Sequence, residues 1–208
     1  GAAHLDFRGA NIFGDVVINN GFANFNIQDH NGNISHAPGD FKYLGHVLVG
    51  DISVTGNIAQ IFVQDMDGAV NHSGTSTIFL MSQLITGDVN VGGLVSGVHT
   101  HAITGDYESS AGFQFLDTQA ITGTLTCTSG ITKLDVDTVN GNLVIGPAAS
   151  VKGQISEVLG SITIDPAANI GMEIDGIRYG SWIEGTDLTL TFLRDGTIPS
   201  SPETVGRL

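Results

Sequence analysis

Two histidines separated by one residue, Val98-His99-Thr100-His101, carry the sharpest chemical signal in the chain. On a β-strand, residues i and i+2 point to the same side with Cα atoms roughly 6.5–7 Å apart, and neutral imidazole is a ligand for iron, zinc, nickel or copper. One chain offers two nitrogens from this pair. Three chains around a threefold axis would offer six, enough to close an octahedral site and clamp the chains together. The competing reading is a pair of solvated surface histidines.

Carboxylates form the second group. Asp117, Asp135 and Asp137 fall on equivalent phases of the sequence, and stacking would bring such groups to about 5 Å, near the separation of a retaining glycosidase pair. No arginine, lysine or aromatic platform is evident beside them in the sequence, which favours an acidic solvated face. Asp65-Met66-Asp67-Gly68 and Asp29-His30-Asn31-Gly32 offer oxygens suited to calcium, or plain Asx turns. His36 and His72 share a phase with Ile18, Val54 and Val91, which predicts packed residues rather than ligands. The single cysteine, Cys127, lies in Thr-Leu-Thr-Cys-Thr-Ser and reads as a buried thiol on a strand. The chain contains no Gly-x-Ser-x-Gly, His-Glu-x-x-His, phosphate loop or Cys-x-x-Cys, so nothing in it supports an enzyme.

The elements that position these groups are β. Of 208 residues, 29 are glycine, 41% are hydrophobic and only 13% are charged, the profile of a glycine-punctuated all-β protein. A mean hydropathy of +0.19 excludes a disordered chain. The net charge of −14 would repel a phosphate backbone, which argues against nucleic acid as a partner. No apolar run approaches the ~18 residues needed to span a bilayer.

A repeat runs through the chain. Glycines followed by a small or Asx residue and then an apolar residue stand at 14, 32, 50, 68, 87, 105, 123, 141 and 160, in steps of 18 with two steps of 19. Two positions after each stand Val16, Ile34, Ile52, Val70, Val89, Tyr107, Leu125, Leu143 and Ile162. Eleven positions after come Phe25, Tyr43, Ile61, Phe79, Val98, Leu116 and Leu134. Eighteen residues with local period-two alternation are too short and too β-branched for a helical hairpin, and read as one coil of a β-solenoid, or parallel β-helix. Nine coils at about 4.8 Å give a rod of roughly 43 Å. Glycine at the corner supplies positive φ or close packing, the following Asp or Asn is expected to bond its own backbone, and each extra residue reads as an insertion at a corner.

These phases divide the chain into a rod over 1–171 and a distinct C-terminal β cap and tail over 172–208. Leu5, Phe7 and Ile12 already fall on the apolar phases with no polar cap before them, which suggests a segment of something longer. If positions eleven and thirteen face inward, twelve and fourteen face out. Leu44, Phe62 and Leu80 then form an exposed apolar stripe, an interface for a symmetric assembly of three rods.

The stretch Ile85-Thr-Gly-Asp-Val-Asn-Val-Gly-Gly-Leu-Val-Ser-Gly-Val-His-Thr-His101, followed by Gly105-Asp-Tyr-Glu-Ser-Ser-Ala-Gly112, resembles bacteriophage central spike and related tail-fibre proteins, in which a Gly-Asp-Val β-helix runs into a His-x-His. The resemblance covers about 28 residues. It implies a trimer that binds iron at the axis through His99 and His101. By periodicity alone the coil also resembles bactofilins and secreted bacterial adhesins. Together these readings predict a structural and adhesive homotrimer of a virion or the extracellular space, in contact with other fibre subunits and cell-surface polysaccharide. The alternatives are an adhesin or bactofilin-like filament, and a polysaccharide-degrading spike using Asp117, Asp135 and Asp137.

Overall fold

The computed structural model describes residues 4–19, 21–37, 39–165, 167–174, 177–180 and 188–190. Strands and turns account for all of them, and no helix occurs among them. From His4 to Ile174 every strand pairing is parallel and joins a residue to the one 18 or 19 positions later. The chain therefore winds once per glycine interval, as a β-solenoid of about nine coils.

Each coil has three sides. Phe22–Asn31 forms a long strand in which Ala23, Phe25 and Ile27 are buried. Gln28 and Asp29 then face outward in succession before His30 turns in, so the strand bends there. The bend divides a long side, 22–27, from a short one, 29–31. A corner at Gly32 leads to the third side, Ile34–His36, and the next coil repeats the path through Asp40–Val49 and Ile52–Val54. Inward files stack like on like: Ile34, Ile52, Val70, Val89, Tyr107, Leu125, Leu143 and Ile162 are all essentially inaccessible. This alternation and the ladder hydrogen bonds make each coil the template for its neighbours.

The corner glycines are required by contact more than by conformation. A Cβ built on Gly32, Gly50, Gly68, Gly87, Gly105, Gly123, Gly141 or Gly160 would lie within 2.5 Å of the carbonyl oxygen of the glycine one coil before. No other residue fits that approach. The Asx residues beside them act between coils, where the sequence predicts bonds within one turn. Asp15 Oδ1 accepts from Asn33 N at 2.8 Å, Asn33 from Asp51 N at 2.9 Å, and Asp51 from Ala69 N at 2.8 Å. Asp88, Asp106 and Asn142 extend the ladder to Asp106, Thr124 and Ser161.

Both extra residues sit at the corner that leads into the long side. The turn after Ile52–Val54 has three residues before Ile58, whereas the turn after Val70–His72 has four before Thr77. The second insertion shifts the register between Cys127 and Ser129. At the C-terminal end, Asn169–Ile174 still pairs in parallel with Leu143–Val158, but Ile177–Gly180 runs antiparallel to it and Leu188–Leu190 antiparallel to Ile162–Ile164. Trp182 and the segment from Pro199 to Leu208, read from sequence as part of the cap and tail, lie outside the described residues. At the other end His4–Phe13 pairs with Phe22–Asn31, and Leu5 and Phe7 are exposed although they occupy inward phases.

Candidate functional site

The long side presents three outward files. The middle file runs Asn24, Lys42, Gln60, Phe79, Gly97, Phe115, Lys133 and Lys152, each paired with the next. To one side stand Phe22, Asp40, Ile58, Thr77, Val95, Phe113 and Ile131; to the other stand Asn26, Leu44, Phe62, Met81, His99, Asp117 and Asp135.

The predicted apolar stripe is present but its third member is wrong. Leu44 is 45% exposed and Phe62 is half-buried on the outer surface, whereas Leu80 is fully buried, paired with Ile61 and Val98 in the core. The cause is the four-residue turn at Ser73–Ser76. The added residue precedes the long side, so positions counted from Gly68 run one ahead of the true phase. Phe79, expected inside, is 44% exposed, and Met81 takes the outward place meant for Leu80, at 46%.

This correction enlarges the patch. Phe79, Met81, Val95, Phe113, Phe115 and Phe62 line a groove whose floor is Gly97. A Cβ at Gly97 would meet the Phe79 ring at 3.2 Å and nothing else outside its own strand within 4 Å, so that ring leans over the glycine and the slot opens away from it. Lys133 Nζ lies 5.6 Å from the Phe115 centroid, a cation–π contact. All three lysines of the chain occupy the middle file of this side, and Arg8 stands on the same side in the file of His99. Sequence reading finds no lysine or aromatic beside the carboxylates; the fold sets Phe115 next to Asp117 and Lys133 next to Asp135 on the outer surface.

His99 and His101 both face outward, as their spacing predicts. His99 Nδ1 is 2.8 Å from Asp117 Oδ2, with the two side chains 52% and 40% exposed. The Nδ1–H tautomer donates to the carboxylate and leaves Nε2 with its lone pair, the arrangement in which a carboxylate orients a ligating imidazole. Among the described residues, however, no three His, Cys, Asp or Glu side chains gather so as to hold a metal ion. Among the described residues, one chain brings together the His99–Asp117 pair and no third ligand. The Asp29 and Asp65 loops gather no such group either, and Asp29 Oδ1 lies 3.8 Å from His46 Nδ1.

His36 and His72 are buried, with ring pKa values lowered by desolvation. His72 Nε2 meets the Ser76 carbonyl at 3.0 Å, and His36 stacks on Phe41 at 5.7 Å. The Cys127 thiol is buried, and desolvation pushes its pKa up to about 12. A polar file absent from the sequence reading lies inside the rod: Ser96, Gln114 and Thr132, spaced by 18. Gln114 Nε2 donates to the Gly93 carbonyl at 3.1 Å and Gln114 Oε1 accepts from Ser96, while Ser109 Oγ meets Thr132 Oγ1 at 2.7 Å. Satisfied in this way, the file fixes register in the interior.

Fold and surface together define a β-solenoid with one apolar, lysine-bearing side, a class compatible with a structural or fibre role. Comparison with protein-family models, with curated proteins and with solved structures finds no match to this chain. No helix among the described residues is long and apolar enough to cross a membrane.

Proposed function

We propose that this chain is a non-enzymatic structural rod, a segment of a bacteriophage tail fibre or spike that associates as a homotrimer and serves host attachment at the surface of a virion. One observation carries the reading: a rod of interlocked coils exposes a continuous apolar side through Leu44, Phe62, Phe79, Met81 and Phe113. Contiguous apolar surface of this kind is a contact surface. The stiffness of stacked ladders suits a part that transmits position rather than one that turns over substrate.

His99 lines the same groove, with His101 two residues on. Three rods meeting near this side would bring three such pairs together, and iron is the metal that the resemblance implies. A metal bound there would supply a cross-link between chains. Native mass spectrometry with elemental analysis tests both points. A three-chain mass carrying a transition metal supports the full reading; a three-chain mass without metal removes the clamp; a single-chain mass over a wide concentration range rejects the trimer.

Phe115, Lys133, Asp117 and Asp135 favour a second reading, in which this part of the side contacts cell-surface polysaccharide. Cleavage of a capsular or lipopolysaccharide glycan by the wild type, abolished by Asp135→Asn, would move the protein to the degrading class.

A further inference from the structure

We propose that the Gly97 slot receives a phenylalanine from the long side of a second copy of this chain, so that rods lock side by side at a fixed height. The proposal rests on the self-association put forward above and names the contact that sets its register.

Charge identifies the occupant. The long side holds Arg8, Lys42, Lys133 and Lys152 among the carboxylates Asp6, Asp40, Asp117, Asp135 and Glu173, so both signs are present there in near-equal number. Among the described residues the other two sides carry no lysine or arginine, but they do carry Asp15, Asp51, Asp65, Asp67, Asp88 and Asp106. Identical rods of net charge −14 repel one another on those sides and can meet only where charge is balanced. A basic partner would go to the acidic sides instead, and an anionic lipid surface would repel the rod.

Size agrees. Nine coils at about 4.8 Å and three outward files give a side of roughly 43 by 20 Å, on the order of the ~800 Å² per partner that a stable association uses.

Shape supplies the register. In the middle file the rings of Phe79 and Phe115 stand on the coils before and after Gly97, and Val95 and His99 flank it on its own strand. Gly97 lacks a side chain between two residues that have rings; the Phe79 ring leans over it, to 3.2 Å from where a Cβ would stand, while no atom of Phe115 comes within 4 Å of that point, so the hollow opens on the Phe115 side. Phe113, 47% exposed, is a ring of matching size on the same side. Packed rings in such holes are the anchors of protein interfaces.

Sedimentation velocity on the full chain and two variants tests this. Gly97→Leu fills the slot, and its Cβ meets only the movable Phe79 ring, so the rod should still fold, as circular dichroism checks. Ser35→Leu adds the same bulk on a short side. Wild type and Ser35→Leu should associate alike, and Gly97→Leu should weaken association by at least roughly tenfold. Phe113→Ser, which removes the proposed ring from the groove wall and leaves Phe79, Gly97 and Phe115 unchanged, should weaken it similarly. Association of the wild type that survives both Gly97→Leu and Phe113→Ser overturns the slot and leaves the trimer standing. A wild type that stays monomeric removes both, and binding of an apolar dye to that monomer would assign the groove to a different partner.

Discussion

Leu80 and Phe79 are adjacent, and the fold assigns them opposite roles. Leu80 is fully buried between Ile61 and Val98, so Leu80→Ala removes a core side chain where the ladders above and below cannot collapse inward. Such truncations cost about 2–5 kcal/mol. Phe79 is 44% exposed and its ring leans over the bare Gly97, so Phe79→Thr, which keeps a β-branched side chain on the strand, should cost about 1 kcal/mol or less. For a domain of this size each kcal/mol moves the melting temperature by roughly 2–4 °C. Leu80→Ala should therefore lower it by roughly 4–20 °C and Phe79→Thr by about 4 °C at most. Thermal unfolding followed by far-ultraviolet circular dichroism reads the difference. A Phe79→Thr cost equal to or above that of Leu80→Ala would mean that the four-residue turn at Ser73–Ser76 does not shift the phase, and the long side would have to be redrawn.

Acid should loosen the rod at its histidines. Burial lowers the folded-state pKa of His36 and His72, so below about 6.5 the unfolded chain binds more protons than the folded one and stability falls with pH until the folded values are reached. Denaturant midpoints should drop as pH falls from about 7.5 through 6.5, and His36→Val with His72→Val should flatten that slope; an unchanged slope refutes the assignment. Gly50→Ala places a Cβ 2.2 Å from the Gly32 carbonyl oxygen at a φ of 142°, and should destabilise by more than about 2 kcal/mol, measured by the same midpoints. The Cys127 thiol, buried with its pKa near 12, should resist maleimide at mildly alkaline pH and react fully once the chain is unfolded; fast labelling of the native rod would place it at the surface.

The coil itself was legible because period and contact coincide. A glycine that must approach the next glycine's carbonyl cannot be replaced, so it recurs at fixed spacing and marks each turn. Outward files were legible only where nothing intervened between that glycine and the file, which is why Leu44, Phe62, His99 and His101 fall where counting puts them and Leu80 does not. The lysines show the same limit. Lys42 and Lys133 each stand ten positions after a corner glycine, whereas Lys152 stands eleven after Gly141, so its place in their file emerges only once the second insertion is located. Asx at the corner is legible as a hydrogen-bonding residue, but its partner, the backbone one coil on, is set by the stacking distance and not by local sequence. The Ser96, Gln114 and Thr132 file has the 18-residue spacing yet reads as surface by residue type, since only the interior bonds that satisfy it make burial tolerable.

Side-by-side packing through the long side is tested most directly by spin labels. Cys127 is buried, so Gln154→Cys on the long side, two coils beyond Phe113, and Ser35→Cys on a short side give single labelling sites in turn. Packing through the long side predicts strong dipolar coupling between chains at Gln154→Cys, at separations on the order of 10–20 Å as for facing sheets with their labels, and longer distances at Ser35→Cys. Coupling that is absent at Gln154→Cys, or shortest at Ser35→Cys, would contradict it.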